Sequence, residues 1–185
     1  MKVTCFCAVD AGLVTIKFAL DLGVKIERVI GLNPKIARYF DKVSGLVDIS
    51  SFCKKNKLNF KYVDDYSLKK INPKSILSQT DIIWVVGWQR LLPSSFVNFP
   101  KIATIGSHGS IDGILKGRGR SPQNWAILMG KKKFIISMFK ITEGVDDGKI
   151  ILTKKLNNNI NDTILNSYVK ASICTAKSFN QLINN

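Results

Sequence analysis

Compact apolar runs separated by helix-length segments recur through the first half of this chain, and that alternation restricts its fold more than any other feature. VTCFCAV (Val3 to Val9), IERVIGLN (Ile26 to Asn33), FKYV (Phe60 to Val63) and DIIWVV (Asp81 to Val86) are rich in β-branched and aromatic residues. Runs of this kind suit strands buried on both faces. Between the first two, Leu13, Ile16, Ala19 and Leu20 fall at helical spacing, and Gly23 stops the helix. Ser50 to Leu58 offers a serine cap and a short helix, whereas Pro34 to Val47 reads as loop with a short helix. Strands joined through helices run parallel, because a parallel pair needs a long crossover.

The second half continues the pattern. Ile102 to Ile105 reads as the next strand, which puts His108 just beyond a strand's carboxyl end. Open α/β sheets bind ligands at that edge. Pro122 to Met129 resembles a helix opened by proline. FIISMFKI (Phe134 to Ile141) and KIILTKKL (Lys149 to Leu156) read as strands flanking an acidic turn. From Asp162 onward Ile164, Leu165, Tyr168, Val169, Ile173, Ala176, Phe179 and Ile183 mark a long amphipathic helix. The expectation is one α/β domain over residues 1–185, with a mainly parallel sheet and a C-terminal helix.

Composition narrows the class. With 45% hydrophobic and 22% charged residues, the chain has the make-up of an ordinary globular domain. No stretch approaches the roughly 20 apolar residues of a membrane span. The start, MKVTCFCAVDAGLV, contains Asp10 and reads as a core strand rather than a signal peptide, which points to the cytoplasm. Cys5, Cys7, Cys53 and Cys174 form no paired motif, and one histidine cannot complete a zinc site with them. Cys5 and Cys7 share one side of a strand, facing the core. No metal is expected. The formal charge of +15 fits either solvated lysine faces or attraction to an anion. A phosphorylated small molecule, a polyglutamyl cofactor and nucleic acid all qualify.

His108 is the sole histidine, set in SHGSIDGILKGRGRSPQNWAI, and Asp146 follows in EGVDDGKII. Imidazole is the side chain best suited to proton transfer near neutral pH. Asp146 could orient it or relay protons through water, in a turn that Gly144 and Gly148 keep adaptable. There is no GxSxG, GxGxxG or GxxxxGK[ST] sequence, so hydrolase, dinucleotide and P-loop readings have no support. Acyl transfer from a bound donor to an amine fits what is present.

The stretch from about Asp81 to Leu156 resembles the folate-dependent formyltransferases, which move a formyl group from 10-formyltetrahydrofolate to a primary amine. The resemblance rests on GWQRLLP (Gly87 to Pro93), on HGS followed by RGRSPQNWAI (His108 to Ser110 and Arg118 to Ile127), and on EGVDDGKII (Glu143 to Ile151). It implies a single Rossmann-like formyltransferase domain. It also implies His108 as catalytic histidine and Asp146 as catalytic aspartate. The pterin-binding segment would be Trp88, Gln89, Arg90, Leu91 and Leu92, closed from the other side by Glu143, Val145 and Asp146. Ser107, Ser110, Arg118 and Arg120 would face the acceptor. Asp147 is expected to be exposed, and Trp84 and Trp125 to be core or wall residues.

One position departs from the family. Its asparagine two residues before the histidine is Gly106 here, so one donor to the formyl oxygen is missing. Ser107, Ser110 or a backbone amide would have to replace it. Among family members, the resemblance points to enzymes that formylate nucleotide-linked amino sugars in surface polysaccharide synthesis, with a homodimer as the candidate assembly. Glycinamide ribonucleotide and methionyl-tRNA are the alternative acceptors, and a basic nucleic-acid-binding domain is the rival from another class.

Overall fold

The computed structural model describes residues 1–37, 43–117, 119 and 121–184. In chain order the elements are β1 (Val3–Phe6), α1 (Asp10–Asp21), β2 (Arg28–Leu32), α2 (Pro34–Ala37), α3 (Ser50–Lys55), β3 (Asn59–Val63) and α4 (Pro73–Ile76). They continue with β4 (Ile82–Val85), α5 (Ser94–Val97), β5 (Ala103–Ser110), α6 (Pro122–Leu128), β6 (Lys133–Lys140), β7 (Ile150–Asn157) and α7 (Ile164–Asn184). All seven strands join one sheet in the order β3-β2-β1-β4-β5-β6-β7. The first five in that order are parallel, whereas β6 and β7 are antiparallel additions. The order reverses direction between β1 and β4, where a doubly wound sheet opens a crevice at its carboxyl edge.

The expected α/β architecture is therefore present, with one correction at the point that matters most. His108 lies inside a strand, not beyond one. β5 pairs with β4 only as far as Gly106, opposite Val85. It then continues to Ser110 against β6, with His108 opposite Ser137. The glycines and serines of GSHGS have low strand propensity, so the sequence hid an extension that the antiparallel partner imposes.

Both faces of the sheet are covered. On one, α1 and α7 pack over Val3, Cys5, Val29, Trp84 and Met138. Trp84 stacks on Phe179 of α7 with ring centroids 4.0 Å apart. On the other, Phe6, Ile30, Ile83, Trp88, Leu92 and Phe96 form a second core. Phe134 and Ile136 extend the first face toward Ala126 of α6 and Ala171 of α7. The four-residue helices α4 and α5 are too short to leave a period in the sequence. Asn72 caps α4 by accepting from the Lys74 amide. Among the described residues no helix is long and apolar enough to cross a membrane.

Cys5 and Cys7 are completely buried, as the alternation on β1 predicts, and Cys53 joins them in the same core. Burial pushes the Cys7 thiol up to about 12 and that of Cys53 to about 11, and it raises Cys5 as well. A thiol held protonated and out of water is a poor nucleophile. Cys174 is only half-buried. Maleimide labelling of the native protein should therefore modify at most this one cysteine rapidly, and all four after denaturation. Rapid labelling of three thiols under native conditions would contradict the packing.

Candidate active site

β5 builds the site. Its side chains alternate, so Gly106, His108 and Ser110 share one face while Ser107 and Gly109 take the other. A Cβ on Gly109 would lie 2.4 Å from a Phe134 ring carbon, and one on Gly106 would lie 2.9 Å from Ile141 Cδ1. Both glycines thus let Phe134 and Ile141 close over the strand.

Two contacts orient His108, whose side chain is about 10% exposed. Its Nε2 lies 2.7 Å from the Gly117 carbonyl oxygen, and Nδ1 lies 3.4 Å from Asp146 Oδ2. A carbonyl only accepts, so Nε2 carries a proton and donates it to Gly117. The Nδ1 contact is long for a hydrogen bond but lies within ion-pair range, and it becomes attractive when Nδ1 is also protonated. Nδ1 is thus the ring nitrogen turned toward the Asp146 carboxylate.

Asp146 reaches His108 through an unusual backbone. Its φ is +45°, a left-handed conformation that aspartate tolerates better than most residues. Its Oδ2 also accepts from the Gly119 amide at 3.3 Å, which ties the acidic turn to the glycine-rich loop. Two residues later Gly148 has φ +124°, and a Cβ there would stand 1.8 Å from the Lys140 carbonyl oxygen. Glycine is required at that position to bring the turn back over the His108 face.

The segment after β4 leaves the sheet beside β5, at the same carboxyl edge. Trp88 and Leu92 are buried in the core, and Trp88 meets Phe6 and Tyr66 edge to face. Gln89, Arg90 and Leu91 are exposed. The Gln89 amide donates to the Tyr66 hydroxyl at 3.0 Å, and its side chain donates to the Ser44 carbonyl. Arg90 lies over the Tyr66 ring. Tyr66 therefore holds this loop, a role without a sequence signal because the contact spans distant residues. The Gly117 carbonyl and the Gly119 amide were equally hidden.

The remaining candidates separate. Ser110 is fully buried, and its Oγ has no hydrogen-bond partner among the described residues. Alternation sends Ser107 to the face opposite His108, paired with Met138. Glu143 and Val145 are exposed on the acidic turn, and Asp147 is exposed beside them. Arg118 and Arg120 lie outside the described residues. Trp84 is core, whereas Trp125 is 60% exposed on α6. No group of three or more His, Cys, Asp or Glu side chains among the described residues could hold a metal ion.

The doubly wound sheet thus brings an oriented histidine and a carboxylate together at its carboxyl edge. Comparison with known proteins makes the class specific. The sequence profile of the formyl transferase family matches residues 49–176, and the chain belongs to that family. It is 28% identical to the bifunctional polymyxin resistance protein ArnA of Wigglesworthia glossinidia brevipalpis over 97% of its own length, which is 26% of that relative. It is 36% identical to a methionyl-tRNA formyltransferase of Clostridium novyi over 46% of the chain and 26% of the relative. The chain thus spans about a quarter of the length of these relatives. The phosphoribosylglycinamide formyltransferase of Anaplasma phagocytophilum shares the fold, with a TM-score of 0.74, 17% identity, and coverage of 98% of this chain and 84% of that one. A sugar N-formyltransferase from Shewanella gives 0.64 and 17%, over 99% of this chain and 68% of that one.

Gly148→Ala tests the turn. The forced backbone shift should destabilise the protein by about 1–3 kcal/mol, read from the midpoint of urea unfolding. A midpoint equal to that of the wild type would show that the turn does not depend on this glycine.

Proposed function

We propose that this chain transfers the formyl group of 10-formyltetrahydrofolate to the primary amine of a nucleotide-linked amino sugar. The observation that carries the reading is the His108–Asp146 pair, 3.4 Å apart at the carboxyl edge of the sheet. The GWQRLLP loop and the acidic turn flank it. The residues present fit the donor: Leu91 and Val145 are apolar yet 56% and 55% exposed on those two loops. Trp88 Nε1 is buried without a hydrogen-bond partner among the described residues. Exposed apolar side chains on these loops suit a flat heteroaromatic ring. Gln89, Arg90 and Leu92 would hold the pterin from one side, and Glu143 to Asp146 from the other.

When bound, the folate supplies the formyl group. This chain's residues manage the proton. Gly117 fixes the imidazole through Nε2, leaving Nδ1 to exchange the proton that the amine must lose. The Asp146 carboxylate stabilises the ring when Nδ1 is charged. At the Gly106 position Ile141 and Phe139 fill the space an asparagine side chain would use. The missing amide is therefore replaced by packing, and the oxyanion donor falls to the backbone.

The amino-sugar acceptor is supported by the fold shared with the Shewanella sugar N-formyltransferase and by the net charge of +15, which suits a diphosphate. The reaction is assigned to the cytoplasm. Mass-spectrometric assay with 10-formyltetrahydrofolate should detect formylation of a nucleotide-linked amino sugar in a panel that also holds glycinamide ribonucleotide and methionyl-tRNA. Formylation of only the last two would overturn the acceptor, and no formylation of any would overturn the reading.

Two substitutions test the roles. His108→Gln keeps a donor for Gly117 but cannot exchange a proton, and Asp146→Asn keeps the left-handed backbone without the charge. Each should lower kcat by about 100-fold or more with unfolding midpoints near that of the wild type. Near-normal turnover in either variant would remove that residue from the chemistry. Gly106→Asn should leave turnover unchanged or lower, because the new side chain must displace Ile141. A strong increase would mark the natural chain as impaired in formyl transfer.

A further inference from the structure

A second basic feature lies on the same sheet face as His108. A hollow of about 450 Å³ is lined by Ile111, Asp112, Lys131, Lys132, Lys133, Ile135 and Lys155. The register places it. Ser110, Ile135 and Lys155 form one cross-strand row, and His108, Ser137 and Thr153 form the next. Successive same-face rows are about 7 Å apart. The Gly113–Gly117 turn covers Ser110, since a Cβ on Gly117 would lie 2.6 Å from Ser110 Cβ, and it reaches the next row through the Gly117 carbonyl on His108 Nε2.

The lysines are set in a fixed frame. The Lys131 amide donates to Ala126, Asn158 Nδ2 donates to the Lys131 carbonyl, and the Asn158 amide donates to the Lys132 carbonyl. Among the described residues no ion pair neutralises any of the four lysines. Asp112 is the one acidic residue on the rim, which leaves a local excess of positive charge. Four uncompensated ammonium groups around a concave, partly apolar surface attract a compact polyanion. The volume matches small-molecule sites, whereas an RNA duplex could not enter it.

We propose that this lysine hollow binds the phosphates of the acceptor, a binding subsite distinct from the donor loops; the proposal rests on the formyl-transfer reading. The topology selects acceptor over donor. The GWQRLLP loop follows β4, on one side of β5, whereas the hollow lies on the other side, at β6 and β7. The two ends of β6 also differ in charge. Glu143, Asp146 and Asp147 follow its Lys140 end, and Lys131 to Lys133 precede the other. A diphosphate is repelled from the first end and held at the second. The attached sugar then extends over the Gly113–Gly117 strap toward His108.

The test is calorimetric titration of the purified protein with inorganic pyrophosphate at fixed low salt. It compares wild type with Lys132→Glu/Lys155→Glu, with Lys132→Ala/Lys155→Ala, and with the control Lys54→Glu/Lys55→Glu on α3. The first and last change net charge equally. Pyrophosphate affinity should fall at least about tenfold (about 1.4 kcal/mol) in both hollow variants and less than twofold in the control. In the formylation assay the hollow variants should raise KM for the phosphorylated acceptor while kcat stays within about twofold. Equal losses in hollow and control variants would show attraction by overall charge only, and overturn the site. So would unchanged affinity in the hollow variants, or hollow-dependent binding of triglutamate or a single-stranded oligoribonucleotide tighter than that of pyrophosphate. Wild-type pyrophosphate binding that is lost in the hollow variants, without turnover on any acceptor, would sustain the anion site and fail the formyl-transfer reading instead.

Discussion

The pairing of β5 with β6 is the constraint on which the rest of the site depends. A parallel sheet ending at Gly106 would leave His108 in a loop, with its ring direction set by nothing. The antiparallel partner extends β5 by four residues and fixes which face each side chain takes. Gly106 and Gly109 make that pairing possible, because a Cβ at either position would meet Ile141 or Phe134. The same hairpin returns through the acidic turn, so one structural unit supplies both the histidine's orientation and its carboxylate.

That arrangement also shows how the chain accommodates the loss of the family's asparagine. Ile141 and Phe139 occupy the space beside Gly106 that a longer side chain would need. The site is tighter and less polar at this point than the family motif implies. A drier pocket strengthens the remaining electrostatic contacts, and these now converge on His108. Its ring is held between an acceptor on a glycine-rich strap and a carboxylate on a glycine-hinged turn. The exposed lysines complete the division of labour: aromatic and apolar contacts cluster after β4, acidic groups at one end of β6 and basic groups at the other.

Much of this was legible in the sequence, for physical reasons. Buried parallel strands are continuous apolar runs, so β1, β2 and β4 were visible, as was α7 from its helical stripe. Cys5 and Cys7 read as core residues because strand alternation needs only their spacing. Three loop motifs in order identified the family. The extension of β5 could not be read, because GSHGS is a strand only through its partner. The Tyr66 hydroxyl, the Gly117 carbonyl and the Gly119 amide were hidden for a related reason, since long-range contacts to backbone or to a single side chain leave no local pattern. Composition gave the lysine charge, but only the register of β5, β6 and β7 showed that Lys133 and Lys155 share the histidine's face.

The central claim is that His108 is anchored through Nε2, with Nδ1 turned toward Asp146 as the proton-exchanging position. Because the chain has a single histidine, long-range ¹H–¹⁵N correlation spectra of the uniformly labelled protein report on that ring alone. As pH is raised until the imidazole is neutral, the account predicts an Nε2–H tautomer. It also predicts an Nδ1 resonance that moves on Asp146→Asn substitution while Nε2 stays in place. A neutral Nδ1–H tautomer, or an Nδ1 resonance indifferent to Asp146, would contradict it.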